Sequence, residues 1–325
     1  MTKAIRIHKT GGPEVLKWEE VKVGEPGEGE IRVRHTAIGL NYIDVYFRTG
    51  LYPGPDLPFS LGLEAAGVVE AVGKGVEDLS QGDRVAYAAP PIGAYAEARV
   101  MPARKAVKIP DGIEDRQAAA MMLQGMTSEY LLRRCYPVKK GQTILFHAAA
   151  GGVGLIACQW AKHMGATVIG TVGSEEKASL AKAHGCDHTI LYNTDNFVER
   201  VKELTGGKGV PVVYDGVGKS TFMGSLDCLQ PRGMLVSYGQ ASGAVEPLNV
   251  GILSQKGSLY LTRPTLMTYT ASREDTLESS GALFEVVKKG AVKIEINQTF
   301  ALKDAADAHR ALEGRKTTGS TVLIP

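Results

Sequence analysis

Two patterns of apolar and polar positions divide the chain. Over residues 1–125, short runs in which apolar and polar residues mostly alternate are separated by Gly, Pro and Asp turns, a spacing typical of a compact β-rich domain. Over residues 126–262, short continuous apolar runs instead alternate with helical segments, which predicts a doubly wound α/β domain with a parallel sheet. Residues 263–325 carry two helical segments and a last apolar strand, and we expect them to return to the first domain.

The stretch Gly141–Lys162, GQTILFHAAAGGVGLIACQWAK, predicts a strand, a turn of small residues and an apolar helix. Ala149, Gly151 and Gly154 occupy the three positions of a G-x-G-x-x-G fingerprint in this context. Gly151 would let the backbone approach a diphosphate, and Gly154 would let the helix pack close to the strand. Because a helix N-terminus also offers unpaired N–H donors, we expect the turn to hold the diphosphate of a dinucleotide.

A second buried strand at residues 167–172 completes a βαβ unit of about 30 residues, which favours a cofactor site over a simple packing turn. Where a protein that prefers NAD places an acidic residue, this chain has Val172, Gly173 and Ser174. Lys177 follows one helical turn later, and Ser174 can cap the helix and donate its hydroxyl proton. This arrangement suits the 2′-phosphate of NADP, so the sequence favours NADPH as the cofactor.

Composition and charge argue against several other classes of protein. The 325 residues are 44% hydrophobic, enough for two cores, and the net charge of +2 without a run of five like charges disfavours nucleic acid as a partner. No signal core and no apolar segment of about 18 residues is present, so we expect a cytoplasmic protein without a membrane partner. The four cysteines are far apart and no Cys/His cluster has metal-ligand spacing, which argues against a zinc site.

A segment rich in aromatic residues, NYIDVYFRTGLYPGPDLP at residues 41–58, interrupts the strands of the first domain. Ordinary packing would explain any one of its tyrosines, but amphipathic aromatic residues also suit a flat aromatic substrate. In the second domain, further candidates follow the strands, because ligands bind at the carboxyl ends of an open parallel sheet. These candidates are Tyr192, DGVG at residues 215–218 and YGQAS at residues 238–242.

Five segments together carry a resemblance to a known family. They are GGPEVLKWEEV at 11–21, AIGLNYIDVYFRTGLYP at 37–53, GLEAAGVVEAVG at 62–73, GDRV at 82–85 and HAAAGGVGLIACQWAK at 147–162. With them the chain resembles the zinc-free, zeta-crystallin-like quinone oxidoreductases of the medium-chain dehydrogenase/reductase superfamily, over essentially its full length. The resemblance implies a Rossmann domain that binds NADPH, a GroES-like β-barrel substrate domain, and transfer of reducing equivalents from NADPH to a quinone.

Departures from the alcohol dehydrogenases of that superfamily indicate chemistry without a metal ion. Where those enzymes place a zinc-ligand cysteine, the chain has Asn41, and where they have Gly-His-Glu, it has Gly62, Leu63 and Glu64. Leucine cannot bind a metal, and an amide oxygen is a poor zinc ligand. Without this Lewis acid, alcohol oxidation loses its main electrostatic stabilisation, whereas a quinone accepts hydride readily.

The resemblance also assigns site residues. Asn41, Tyr46, Tyr52 and Arg263 would line the nicotinamide and substrate pocket, where Asn41 or Arg263 could donate to a quinone oxygen and the tyrosines could stack on the ring. Cofactor contacts fall on Asn41 and on residues in the fingerprint and after later strands: Thr127, Gly151, Gly152, Val153, Gly154, Gly173, Ser174, Lys177, Tyr192, Gly216, Ser242 and Arg315. Relatives are commonly homodimers, and the apolar strand at residues 257–262 could pair with a second copy.

Two other functions stay open at this point. An NADPH-dependent reductase of the C=C bond of an alkenal or enone needs the same metal-free hydride site, so the sequence does not separate it from a quinone reductase. A protein that binds NADPH for a structural or RNA-binding role belongs to another class, and the nearly balanced charge argues against its RNA-binding form.

Overall fold

The computed structural model describes residues 2–325, which form two compact units. The first unit comprises residues 2–126, 270–288 and 294–325, and the second comprises residues 127–269 and 289–293. The second unit extends past residue 262 to Tyr269, whose ring stacks on Tyr130 at a centroid distance of 4.4 Å. The domain boundaries expected after residues 125 and 262 stay predictions. None of the helices formed by residues 2–325 is both long and apolar enough to span a bilayer.

The first unit begins as a series of strands. Alternation along the third strand sets its two faces, since Ile31 and Val33 are buried whereas Arg32 and Arg34 are not. The elements are β1 (Thr2–Ile7), β2 (Lys17–Val21), β3 (Glu30–Leu40), α1 (Tyr42–Thr49), β4 (Phe59–Ser60), β5 (Glu64–Val72), β6 (Arg84–Ala88), β7 (Ala98–Pro102), β8 (Val107–Lys108) and α2 (Asp115–Ala119). Single 3-10 turns lie at Pro13–Val15, Ala103–Lys105 and Leu302–Asp304.

The second unit alternates strands and helices as the apolar runs predict. α3 (Met122–Tyr130) begins in the first unit and ends in the second. The elements that follow are a π-helical turn (Leu131–Cys135), β9 (Thr143–Phe146), α4 (Gly152–His163), β10 (Thr167–Val172), α5 (Glu175–Ala183), β11 (His188–Leu191), α6 (Phe197–Leu204), β12 (Val210–Asp215), α7 (Phe222–Asp227), β13 (Leu229–Ser237), α8 (Gly251–Gln255), β14 (Tyr260–Thr262) and α9 (Leu266–Tyr269). All neighbouring strands of its six-stranded sheet are parallel, in the order β11-β10-β9-β12-β13-β14. This is the strand order of a Rossmann domain, so the predicted fold class is confirmed.

The last elements complete the first unit. They are α10 (Arg273–Lys288), β15 (Ile296–Ala301), α11 (Ala305–Glu313) and β16 (Ser320–Ile324). β16 pairs antiparallel with β3, Val322 opposite Gly39, and joins a seven-stranded sheet of order β15-β16-β3-β5-β6-β8 in which β7 also pairs with β3. A smaller sheet has the order β2-β1-β4. The C-terminal strand therefore contributes directly to the sheet that carries the N-terminal half of this unit.

Each unit has a hydrophobic core of its own. In the first unit, Ile31, Ile38 and Tyr95 pack with Leu323 from the C-terminal strand. In the second unit, side chains from the central strands pack beneath the helices: Leu145, Ile169, Ile190, Val213 and Leu235. Burial of this apolar surface fixes the strands, and the turns that follow them are thereby held in place.

Candidate cofactor and substrate sites

The turn between β9 and α4 has the geometry of a dinucleotide-binding turn. Gly151 is the N-cap of α4, its N–H donates to Ala148 O at 2.9 Å, and Ala149 N–H donates to Thr171 O on β10 at 3.0 Å. Because the first N–H groups of a helix have no intrahelical acceptor, those of Gly152 onward are available to an anion. Ala148 adopts a left-handed φ of 55°, which turns the chain sharply at the end of the strand.

The two fingerprint glycines are needed for different reasons. A Cβ on Gly154 would lie 2.4 Å from Ala148 O and 2.7 Å from two backbone atoms of Ala149, so the helix packs on the preceding turn too closely for any side chain. A Cβ on Gly151 would meet a single atom within 4 Å, Ala148 O at 3.2 Å. A side chain at Gly151 would therefore be crowded at one backbone atom only, and otherwise would extend into the space beside the helix N-terminus. The residues present fit the diphosphate of a dinucleotide.

The end of β10 carries the residues that the sequence associates with NADP. Ser174 caps α5 and its Oγ accepts the N–H of Lys177 at 3.3 Å, which leaves the hydroxyl proton available to a phosphate oxygen. Gly173 lies under the Tyr192 phenol, since a Cβ there would be 2.7 Å from the Tyr192 hydroxyl oxygen. Asn193 Nδ2 donates to Gly173 O at 2.7 Å and holds this backbone in place. The structure thus brings Gly173, Ser174 and Tyr192 together.

A buried carboxylate organises the turn after β12. Asp215 is completely buried, and its Oδ1 accepts the N–H groups of Val217 at 2.8 Å and Gly218 at 3.0 Å. The hydroxyl groups of Thr221 and Ser225 donate to the same carboxylate, each at 2.8 Å. These bonds fix the DGVG turn and with it Gly216, and Ser242 Oγ donates to Val217 O at 2.8 Å from the neighbouring loop.

His147 extends this buried network. Since Ser225 donates its proton to Asp215, it can only accept from His147, so Nε2 of His147 carries the proton at 3.0 Å from Ser225 Oγ. Nδ1 then accepts from Thr171 Oγ at 2.9 Å. Burial lowers the pKa of His147, with Asp215 opposing the effect, so the ring is a neutral bridge between β9, β10 and α7. No local sequence signal predicts this role, because the four residues of the network are scattered along the chain.

In the first unit, the predicted tyrosines form one aromatic cluster around α1. The centroids of Tyr42 and Tyr46 are 5.5 Å apart, those of Tyr46 and Tyr52 are 5.0 Å apart, and Tyr52 N–H donates to Tyr46 O at 3.1 Å. Burial raises the pKa of Tyr42, and Glu313 adds to the effect, whereas the charges of Arg315 and Arg48 oppose it. The structure therefore brings Arg315 near the tyrosines.

Arg48 lies in the same segment but is structural. It is 1% exposed, and its two Nη atoms donate to both carboxyl oxygens of Glu313, at 2.7 and 2.8 Å. Because Arg48 Nη1 can only donate to His309 Nδ1 at 3.0 Å, the His309 Nε2 proton is donated to the Tyr95 hydroxyl at 3.1 Å. Tyr95 in turn donates to Asp44 Oδ2 at 3.0 Å. Burial is the main reason that the pKa of His309 is lowered to about 3, so the ring is neutral.

This chain of bonds ends at the start of α1. Asp44 Oδ2 also accepts the backbone N–H of Asn41 at 2.9 Å, the capping bond of the helix. Burial raises the pKa of Asp44 to about 7 from 3.8, because two hydrogen bonds only partly offset the loss of hydration.

Asp44→Asn is expected to change how stability depends on pH. In the wild type the pKa of Asp44 is higher in the folded state than in the unfolded state. The neutral carboxyl group therefore contributes its whole stabilisation below about pH 4, and this contribution is lost as the pH rises through 7. Asparagine stays neutral at every pH. The free energy of unfolding of the variant should therefore increase relative to that of the wild type as the pH rises across this range. Urea unfolding at several pH values measures the difference, and a difference that does not vary with pH would contradict the assignment.

Asn41 is almost buried and its side chain is largely engaged within the protein. Nδ2 donates to Glu64 at 2.6 Å, and Oδ1 accepts from Gln124 Nε2 at 3.1 Å. One Nδ2 proton is left over, so Asn41 can still serve as a donor to a ligand. Neither spacing nor composition marks Glu64 or Gln124 as its partners.

Two further site candidates lie in the second unit. Arg263 follows β14, is exposed, and donates from Nη1 to Pro264 O at 3.3 Å. Thr127 is 6% exposed on α3. Arg263 acts electrostatically on the buried Tyr130, whose pKa is raised mainly by desolvation.

The side chains at the positions used for catalytic zinc elsewhere do not fit a zinc ion. Asn41 is bound to Glu64 and Gln124, and Leu63 carries no ligand atom. Within residues 2–325, no three His, Cys, Asp or Glu side chains are close enough together to hold a metal ion. Tetrahedral zinc needs at least three protein ligands of this kind.

Comparison with known proteins adds three findings. Models for an alcohol dehydrogenase GroES-like domain and for a zinc-binding dehydrogenase match residues 27–111 and 152–281. A quinone oxidoreductase of Pseudomonas aeruginosa is 57% identical over 100% of both chains, and a 2-haloacrylate reductase of a Burkholderia species is 51% identical over 100% of this chain and 99% of the relative. The crystal structure of Escherichia coli quinone oxidoreductase complexed with NADPH superimposes with a TM-score of 0.98 at 52% identity, covering 99% of this chain and 100% of that one.

Proposed function

The chain belongs to the quinone oxidoreductases of the medium-chain dehydrogenase/reductase superfamily, and we propose that it transfers reducing equivalents from NADPH to quinones without a metal ion. It is an NADPH-dependent oxidoreductase, like the relatives it matches over its full length. The observation that carries the metal-free proposal is the pair Asn41 and Leu63, which replaces the ligands that zinc would need.

Bound NADPH would supply the hydride. The chain's own residues would position the cofactor and offset the negative charge of its phosphate groups. The N–H groups at the start of α4 hold the diphosphate, and Ser174 with Lys177 hold the 2′-phosphate. Tyr46 and Tyr52 offer aromatic faces on which a flat ring can stack.

A quinone needs little more from the protein. Negative charge that develops on the quinone is spread over a conjugated ring, so a hydrogen-bond donor can replace a Lewis acid. Asn41 Nδ2 and the Arg263 guanidinium are the donors that we assign to this role. Protons then reach the reduced ring from water, so we assign no obligate acid or base.

The test is anaerobic oxidation of NADPH by the purified protein after EDTA treatment. We expect fast turnover with 1,4-benzoquinone and 9,10-phenanthrenequinone, and none with a simple ketone. Loss of quinone turnover after EDTA treatment, restored by zinc, would contradict the metal-free proposal. Tight NADPH binding without turnover of any acceptor would favour a structural role instead.

A second candidate function has a specific observation in its favour. The relative named 2-haloacrylate reductase is 51% identical to the chain, and its name describes reduction of an activated C=C bond. Hydride transfer to such a bond would use the same donors and the same cofactor site. Including 2-hexenal and 2-chloroacrylate among the acceptors distinguishes the two, since turnover only with these would move the function to alkene reduction.

Lys177→Ala is expected to raise the KM for NADPH by about ten- to a hundredfold and to leave the KM for NADH nearly unchanged. The reason is the loss of a charge-assisted bond to the 2′-phosphate, worth about 1.5–3 kcal/mol. Steady-state kinetics with both cofactors measures this, with Lys182→Ala in the last turn of α5 as a matched control. Equal effects on both cofactors would remove Lys177 from the 2′-phosphate site.

The assembly that we propose is a cytoplasmic homodimer. β14 is an edge strand of the six-stranded sheet, and it exposes 58% of Tyr260 and 38% of Leu261. An exposed apolar edge strand is suited to pairing with a second copy. Sedimentation equilibrium tests the proposal, and a monomer at micromolar concentration would contradict it.

A further inference from the structure

A chain of buried polar side chains in the first unit ends on Asn41 and Glu64. Ser320 Oγ lies 2.7 Å from Gln124 Oε1, Gln124 Nε2 lies 3.1 Å from Asn41 Oδ1, and Asn41 Nδ2 lies 2.6 Å from Glu64 Oε2. The other carboxyl oxygen of Glu64 accepts the N–H of Leu123 at 2.8 Å. The four side chains are at most 7% exposed, and Glu64 is completely buried.

The fold makes room for this carboxyl group. Glu64 on β5 lies opposite Gly39 on β3, and a Cβ on Gly39 would lie 2.3 Å from Glu64 Oε2 and 2.3 Å from Ala119 O. Within residues 2–325, no Lys or Arg forms an ion pair with Glu64. Burying a carboxyl group without a neighbouring cation costs free energy of hydration. The hydrogen bonds that Glu64 accepts from Asn41 and Leu123 offset part of this cost.

The group at position 64 controls the direction of the hydrogen bonds along this chain. An ionised carboxylate only accepts, so Asn41 turns Nδ2 toward Glu64 and Oδ1 toward Gln124. A group at 64 that donates would let both amides turn over. Gln124 would then donate to Ser320 Oγ, and Ser320 would keep its bond to Ala120 O at 2.8 Å.

We propose that Glu64 is a positioning residue for Asn41, whose carboxyl group sets the direction of the Ser320, Gln124, Asn41 chain and so decides whether Asn41 offers a donor or an acceptor to the bound ligand. The proposal rests on the proposed function, in which Asn41 contacts the cofactor and the quinone. With Glu64 ionised, the remaining Nδ2 proton of Asn41 suits a carbonyl oxygen. With a donor at 64, an amide oxygen would occupy that place and repel it.

Protonation of Glu64 makes it possible to measure whether Asn41 offers a donor or an acceptor to the ligand. Burial raises the pKa of Glu64 to about 8, with Asp44 adding to the effect and the bonds from Asn41 and Leu123 opposing it. The other ionisable groups that act on Glu64 are the phenols of Tyr87 and Tyr95, whose pKa values burial also raises, so they stay neutral. Glu64 therefore donates at low pH and only accepts at high pH.

The experiment is a double-mutant cycle between Glu64→Gln and Asn41→Ala, measured as kcat/KM for 1,4-benzoquinone at about pH 6 and about pH 9. A glutamine at 64 always donates. We expect the variant to match the wild type at the lower pH and to lose on the order of tenfold at the higher pH. In the Asn41→Ala background the same change should cost nothing at either pH. Additive effects, or a loss that does not depend on pH, would overturn the proposal.

Two further variants keep this test decisive. Ser320→Ala removes the other end of this row of hydrogen-bonded side chains, so its effect on kcat/KM should also disappear in the Asn41→Ala background. This variant replaces Glu64→Gln in the cycle if Glu64→Gln does not fold. Glu70→Gln, on the same strand and bound to Arg32 and Arg34 at the surface, is the matched control and should behave as wild type. If the wild type does not reduce quinones, the proposed function fails, and the same cycle measured on the NADPH dissociation constant still tests Glu64.

Discussion

Gly151→Val is expected to abolish NADPH binding and to leave the protein folded. At Gly151 the backbone has φ −80° and ψ 175°, an extended conformation that valine adopts readily. A Cβ there meets no atom except Ala148 O, at 3.2 Å, so the side chain would project into the space that the diphosphate needs. We expect the dissociation constant for NADPH to rise by more than about a hundredfold, or ~2.7 kcal/mol.

Gly154→Ala provides the contrast for this prediction. Its Cβ would collide with Ala148 O at 2.4 Å, so this change should lower the melting temperature because the helix must move away from the turn that precedes it. Fluorescence titration with NADPH and thermal unfolding of both variants separate a ligand role from a packing role. An undiminished NADPH affinity in Gly151→Val would show that the diphosphate does not lie at this turn. A large drop in its melting temperature would make the glycine structural.

The elements of the second unit could be predicted because their signals are local. TVIGTV predicts a strand over residues 167–172, and β10 has these bounds because every one of its apolar side chains is buried between layers of helices. NFVERVKEL predicts a helix, and Asn196 caps it by accepting the N–H groups of Val198 and Glu199. The fingerprint turn follows from the same kind of evidence, since its residues lie within one strand–turn–helix segment.

Structure that depends on distant residues could not be predicted in this way. The interval after residue 110 gives no alternating pattern, and the structure forms helices at Asp115–Ala119 and Met122–Tyr130 at the end of a region predicted to be β-rich. β13 begins at Leu229, before the strand that GMLVSYG predicts, because Leu229 already pairs with Val210 of β12; a register shift between Val210 and Val212 follows this pair. Neither feature has a signal within a window of a few residues.

The candidate site shows the same division. The sequence identifies the cofactor turn by its pattern and the tyrosines by their clustering in one aromatic segment, but Asn41 enters through family resemblance alone. Their supports are bonds across long separations, such as Arg48 to Glu313 and Asn41 to Glu64. A single sequence carries no information about which buried acid meets which buried base, because each alone resembles an ordinary surface charge.

Asp215→Ala is expected to cause a large loss of stability in the second unit, about 3–5 kcal/mol, together with a loss of NADPH affinity. Removing the carboxylate leaves the N–H groups of Val217 and Gly218 and the hydroxyl of Ser225 without their acceptor inside the protein. His147, which contacts Asp215 through the Ser225 hydroxyl, is then no longer connected to a carboxylate. Because Gly218 and Ser225 are buried, water replaces the bonds that they lose poorly, and the turn at Gly216 is no longer held in the form that a cofactor needs.

Asp215→Asn and Asp227→Ala calibrate this result. Asparagine keeps the shape and one acceptor oxygen of Asp215, so it should cost less than alanine, although its amide must face donors. Asp227 lies at the end of α7 in a partly exposed ion pair with Lys256, and its loss should cost less than about 1 kcal/mol. Chemical unfolding and NADPH titration of the three variants measure the series. If Asp215→Ala costs no more than Asp227→Ala, the buried network does not hold the turn, and the cofactor site must depend on the fingerprint alone.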